Sequence, residues 1–171
     1  MKHIILETDR LMLREMDFSD VEALASMLQD DRVMYAYNGA FNDRETLLWL
    51  QKQIQRYNDY GFGLWGVSLR NSDEMIGQCG ITLQDYKTTQ VPEIGYLFAH
   101  KHWHKGYATE AAIACREYGF NKLRFEVMYS IIRDSNEASK NVALRNGMIP
   151  IDHITKHYRG IDMLHIVFCT K

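Results

Sequence analysis

Proline and cysteine are scarce in this 171-residue chain, with two prolines (Pro92, Pro150) and three cysteines (Cys79, Cys115, Cys169). No Pro- or Ser-rich linker, low-complexity tract or internal repeat breaks it, so 1–171 reads as a single domain. The cysteines are odd in number, far apart and set in apolar runs, without C-x-x-C spacing. That argues against a disulfide framework or zinc site, and for buried free thiols in a reducing compartment. No apolar run approaches the ~18 residues of a membrane span. The start, MKHIILETDRLMLRE, is charged too early for a signal peptide, so a cytoplasmic protein is expected. A surplus of one charge is also missing: 20 Lys and Arg against 22 Asp and Glu give a formal −2. There is no global pull toward nucleic acid or an anionic membrane. GxxxxGK[ST] and GxGxxG are both lacking, which counts against a nucleotide-binding domain.

What is present is an ordinary globular balance, 46% hydrophobic and 25% charged. Residues 4–15 alternate as a first strand. Ser19-Asp-Val-Glu22 and Asn42-Asp-Arg-Glu45 read as capping boxes opening two helices, with an irregular stretch near 31–41 between them. The period then shortens to two. Trp65, Val67 and Leu69 alternate, Asn71-Ser72-Asp73 turns, and 75–86 alternates again, a hairpin. A strand over 92–99 starts at Pro92, and a helix rich in small residues runs from Gly106 to Phe120. Phe125–Ile132 alternates as a strand. A short helix capped by Ser135 ends at Asn146-Gly147, and closing strands follow at 148–157 and 161–170. The order β-α-α-β-β-β-α-β-α-β-β predicts an α/β fold on a mixed sheet. The unit 92–132 requires one parallel pairing and the hairpins require antiparallel ones.

The chemistry concentrates in Ala99-His-Lys-His-Trp-His-Lys-Gly-Tyr-Ala-Thr-Glu110, between a strand and a helix of small residues. The first turn of such a helix presents unpaired N–H groups and the positive end of its dipole, which suits a pyrophosphate. Gly106 admits close backbone approach, Ala108 keeps the next turn open, and Lys101 and Lys105 add positive charge. The bland reading is a loop that only turns the chain. His100, His102 and His104 alternate like metal ligands, but they fall where the chain should turn, so no metal is expected.

The wording EIGYLFAHKHWHKGYATEAA resembles the cofactor motif of the GNAT acetyltransferases, in particular the RimJ/RimL-like branch. Asp134-Ser-Asn136-Glu-Ala-Ser139 through Arg145-Asn-Gly147 resembles that branch's second signature, and Thr8-Asp-Arg10-Leu-Met-Leu-Arg14 its first strand. His104 stands where the branch often has Gly, His100 where Pro is usual, and Met148 where Phe is common. The resemblance implies a GNAT-like fold: a mostly antiparallel central sheet with one splayed parallel pair, flanked by about four helices. It implies acetyl-CoA as cosubstrate, no metal, and a primary amine as acceptor, either a protein N-terminus or a small amine. By analogy alone it also implies a homodimer. The alternative is a non-catalytic acyl-CoA-binding or sensing domain.

Residue by residue, the resemblance implies that Leu97, Phe98 and Ala99 pair their backbone with the pantetheine arm. Trp103, His104, Lys105, Gly106, Tyr107, Ala108 and Thr109 would surround the pyrophosphate. Asn136 would hydrogen-bond the pantetheine, and Ser139 would lie near the sulfur. Lys140 and Arg145 are candidates for the 3′-phosphate. Read from the residues, Glu93 is the first choice of general base, against an equally good reading as a solvated or salt-bridged strand-end carboxylate; Tyr158 and Glu110 are further candidates, though Glu110 better suits the N-terminal dipole of its helix. A backbone N–H on 94–98 would receive the oxyanion. Read from the residues themselves, the aromatics of 35–62 divide between core packing and, for those in the 31–41 stretch, an acceptor pocket; Asp30, Asp31 and Asp43 either draw in a cationic amine or are scattered surface acids, the commoner case.

Overall fold

The computed structural model describes residues 3–170. Where alternation predicts one opening strand there are two, β1 (Ile4–Glu7) and β2 (Leu11–Arg14). Thr8 N–H donates to the Leu11 carbonyl, and Leu11 N–H donates to the Thr8 hydroxyl, each at 2.9 Å, closing a tight turn. A period of two carries no mark of a reversal, so the sequence pattern runs straight through it.

Helix α1 (Val21–Leu28) follows a 3-10 turn at Phe18–Asp20. Its capping box lies two residues before the expected one. The Asp17 carboxylate accepts from Ser19 N–H, and Asp20 reaches back to Asp17 N–H at 3.0 Å. Asp20 is also gripped by the Arg14 guanidinium at 2.8 and 2.9 Å, which fixes the cap on Asp17–Asp20. The stretch near 31–41 is more ordered than expected, holding α2 (Asp31–Met34) and a 3-10 turn at Tyr35–Tyr37. Helix α3 (Asp43–Tyr60) starts at the predicted Asn42/Glu45 box and stops at Gly61, whose φ of 75° is left-handed.

Strands β3 (Leu64–Leu69) and β4 (Met75–Tyr86) form the predicted hairpin. Strand β5 (Thr89–Phe98) begins three residues earlier than expected, with Pro92 inside it. Then come α4 (Tyr107–Asn121), β6 (Tyr129–Arg133), α5 (Glu137–Arg145), β7 (Met148–Tyr158) and β8 (Ile161–Thr170). β6 starts later than alternation suggests. Residues 122–128 pass beneath α4 first, with Arg124 left-handed at φ 61° and Phe125 N–H bonded back to Gly119. The cap of α5 is Asn136 rather than Ser135, because the Asn136 side chain accepts from Ser139 N–H.

The eight strands form one sheet in the order β1-β2-β3-β4-β5-β6-β8-β7, antiparallel except at β5–β6. This is the mixed α/β, GNAT-like sheet expected from the sequence. On one face α4 lays Ala111, Ala112 and Cys115, all fully buried, against Trp65, Val67, Cys79 and Ile81. Small side chains let it approach so closely that a Cβ on Gly119 would sit 2.7 Å from the Met128 sulfur. On the other face α1 and α3 bury Leu24, Met27, Leu28 and Leu50. All three cysteines are free, and Cys79 and Cys115 meet across the sheet–helix contact at 3.6 Å.

Candidate active site

β5 and β6 share a single registered pair, Glu93 opposite Tyr129, and then part. Side chains take over where the backbone ladder stops. The Ser130 hydroxyl donates to the Ile94 carbonyl at 2.9 Å, and the Glu93 carboxylate accepts from Ile131 N–H at 3.3 Å. On β5's other edge, Ala99 N–H donates to Ile76 O at 3.0 Å. Alternation along an antiparallel strand therefore turns the backbone groups of Gly95, Leu97 and Ala99 toward β4, and those of Tyr96 and Phe98 into the gap.

Two cavities open from this gap and share Ala36, Tyr37, Tyr96, Asn136 and Ser139 in their walls. The first, about 280 Å³, runs along the α4–α5 side. Leu97, Phe98, Trp103, His104, Gly106, Tyr107, Ala108, Thr109, Asn136 and Ser139 all line it. Ala99 and Lys105 do not. Ala99 is buried in the cluster on the opposite face, and Lys105 is exposed with its carbonyl held by Arg10 at 3.0 Å. Arg145 lies in the wall, whereas Lys140 is drawn to Glu137 at 2.5 Å.

This cavity is rich in donors without partners. Gly106 caps α4 with φ 80° and no side-chain cap, so the first-turn N–H groups from Tyr107 onward face outward. Both ring nitrogens of His102 are buried and unbonded, and burial holds that imidazole below its ordinary pKa. Trp103 fixes the loop by donating its indole N–H to the Phe98 carbonyl at 2.8 Å. Glu110 clamps the helix start to the β1–β2 turn, accepting from the Thr8 hydroxyl and from Arg10 Nε, each at 2.6 Å. That work takes it out of contention as a base. His104 is left-handed at φ 60°, a conformation that glycine adopts without the strain a side chain brings.

Of the three loop histidines, His100 packs on Trp103 at 4.9 Å, while His102 and His104 both line the cavity, His104 exposed. Among the described residues no three His, Cys, Asp or Glu side chains stand together as metal ligands.

The second cavity, about 330 Å³, lies on the α3 side. Glu93 lines it with Tyr37, Trp49, Arg56, Lys156 and Tyr158. Desolvation raises the Glu93 pKa above the ordinary carboxylate value, against opposing pulls from Lys156, Ile131 N–H and Arg56. Tyr96 stands where the cavities meet and donates its hydroxyl to the Ser139 carbonyl at 2.8 Å. Tyr35 donates to the Asn136 side chain at 2.7 Å. Asp30, Asp31 and Asp43 line neither cavity. They are engaged by Arg32 at 2.6 Å, Ala40 N–H at 2.9 Å and Gln29 at 2.7 Å.

Tyr35 and Tyr37, among the aromatics of the 31–41 stretch offered as pocket walls, do line the cavities. The residues that sequence reasoning missed are Tyr96, Arg56 and Lys156. Only Tyr96 carried a signal, as a polar-tipped aromatic beside Glu93 on a buried strand. The other two arrive from α3 and β7, and no sequence spacing links them to the cofactor motif.

A family model described as an acetyltransferase (GNAT) domain matches residues 10–149. YkkB of Bacillus subtilis is 42% identical over 144 residues, 84% of each chain. An acetyltransferase from Agrobacterium tumefaciens superposes with a TM-score of 0.82 at 26% identity, over 97% of this chain and 93% of that one. RimL, a ribosomal L7/L12 α-N-protein acetyltransferase solved with coenzyme A, superposes at 0.77 and 18% identity, over 98% and 97%, a likeness of fold alone. The chain belongs to the GNAT acetyltransferase family. No described helix is long and apolar enough to cross a membrane.

Proposed function

We propose that this chain transfers the acetyl group of acetyl-CoA to a primary amine by direct attack on the thioester. The observation that carries the reading is the junction of two cavities at Tyr96 and Ser139, one rich in unbonded donors and the other holding a desolvated carboxylate. The donor set fits a CoA pyrophosphate. Outward N–H groups at Tyr107–Thr109, a left-handed Gly106 and the unbonded His102 ring all suit an anion, and Arg145 stands at its edge. RimL, with the same fold, holds coenzyme A.

Acetyl-CoA supplies an activated acyl carbon and a thiolate leaving group. The remaining work falls to this chain. Tyr96 N–H, turned into the gap, is placed to stabilise the charge that develops on the carbonyl oxygen, worth about 3 kcal/mol in comparable sites. The Ser139 hydroxyl, in the wall of both cavities, donates to the departing sulfur. Glu93 takes the amine proton through a water, and its raised pKa makes it a better base than an exposed carboxylate. The test is release of free CoA from acetyl-CoA on addition of amines. Acceptor-dependent release supports the reading. Tight cofactor binding with no stimulated acceptor supports a sensing domain instead.

A further inference from the structure

We infer that the acceptor is a small amine carrying its own anionic group, a carboxylate or a phosphate. This rests on the acetyl transfer proposed above and names the substrate class of the same site. Four cations from three elements converge on the α3-side cavity: Lys52 and Arg56 from α3, Arg133 from β6 and Lys156 from β7. Glu93 is the one carboxylate in its wall. None of the four has an ion-pair partner among the described residues, although the chain as a whole is slightly acidic at −2. Arg56 bonds only the Gln53 amide at 3.0 Å, and Arg133 only the Tyr35 carbonyl at 2.9 Å. Lys52 feels the excess directly: desolvation first and then Arg56 hold its ammonium below the ordinary value.

Such a pocket repels a polyamine or aminoglycoside and attracts an acid. The acids that would draw in a cationic amine are spent elsewhere, on Arg32, Ala40 and Gln29. An anion seated among these cations leaves the amine of the same molecule free to point past Glu93 toward the gap. Arginine and lysine suit that role through charge-assisted hydrogen bonds.

The walls also limit size. The tip of the β7–β8 hairpin roofs the cavity. Arg159 there donates to the Gly39 carbonyl at 3.1 Å and pairs with Glu45 at 2.5 Å, while Tyr158 packs edge-on against Tyr37. About 330 Å³ beneath that roof suits a metabolite better than a peptide chain.

The experiment compares matched amines under saturating acetyl-CoA, reading kcat/KM from CoA release. The set holds amino acids, their amides, aminoalkyl phosphates and the corresponding amino alcohols, spermidine, and short peptides. Acids should exceed their neutral counterparts by roughly tenfold or more, the worth of one charge-assisted hydrogen bond. The carboxylate and phosphate arms identify the anion. Lys156→Gln and Arg56→Gln should each cut that ratio about tenfold, chiefly through KM, and Lys156→Arg should keep it. Equal or better turnover of amides, spermidine or peptides would overturn the inference and leave acetyl transfer standing. If no amine stimulates release although acetyl-CoA binds, the functional reading fails and the inference falls with it.

Discussion

The Tyr96 hydroxyl donates to the Ser139 carbonyl at 2.8 Å, tying strand β5 to the first turn of α5 across the splayed gap. It holds two groups of the proposed chemistry, the Tyr96 N–H and the Ser139 hydroxyl, at a fixed separation. Tyr96→Phe should lower kcat by about tenfold, because a small misplacement of reacting groups is costly. Ser139→Ala should lower kcat as well, while acetyl-CoA affinity barely moves. Steady-state CoA release with calorimetry checks both, and an unchanged kcat in the serine variant removes Ser139 from the mechanism.

Glu93 gives a pH signature. Desolvation raises its folded pKa above the unfolded value, so the ionised form is penalised in the native state. Activity should fall as pH drops through that raised pKa, with a midpoint above the carboxylate's ordinary 4.5. The sign for stability is opposite. The penalty is absent below the unfolded pKa and fully present above the folded one. Glu93→Gln should therefore slow turnover by on the order of 100-fold yet leave the protein at least as stable at pH 7. A pH–rate profile and a thermal melt test the two halves.

Arg14 and Asp20 form a buried pair, 8% and 4% exposed, joined by two hydrogen bonds. Asp20 also closes the cap before α1. Asp20→Ala should destabilise the fold by about 3–5 kcal/mol, because it strands a buried guanidinium. Denaturant unfolding measures this directly.

His104 holds a left-handed φ of 60° in the Trp103–Thr109 loop. His104→Gly should be about 1 kcal/mol more stable than His104→Ala, since only glycine relieves the strain. Comparing the two melting temperatures isolates the backbone from the imidazole.

Much of the fold is legible in the sequence because it is written in local signals. The Asn42/Glu45 box, the Gly147 stop and the 64–86 hairpin each sit within a few residues of chain. The α4–α5-side cavity, proposed above for the cofactor, is legible for the same reason, since a strand, a glycine and a helix of small residues occur in one run. The misses share a cause as well. The β1–β2 reversal depends on the Thr8 hydroxyl, which alternation does not register. The α3-side cavity, proposed for the acceptor, assembles Arg56, Lys156 and Tyr96 from three distant elements, and only tertiary packing brings them together. Asp30, Asp31 and Asp43 left two readings open, an acidic lure or plain surface acids, because a carboxylate's partner is invisible in sequence; their bonds to Arg32, Ala40 and Gln29 favour the second.

The most direct test of the account is a calorimetric titration of acetyl-CoA into the protein and into its Gly106→Val variant. Gly106 is left-handed at φ 80°, and a side chain there meets Arg10 at 3.4 Å and crowds the N–H groups that open α4. The account predicts stoichiometric binding to the native chain and a loss of about 100-fold or more in the variant, with both proteins still folded by circular dichroism. Absence of binding to the native chain, or equal binding to both, would contradict it.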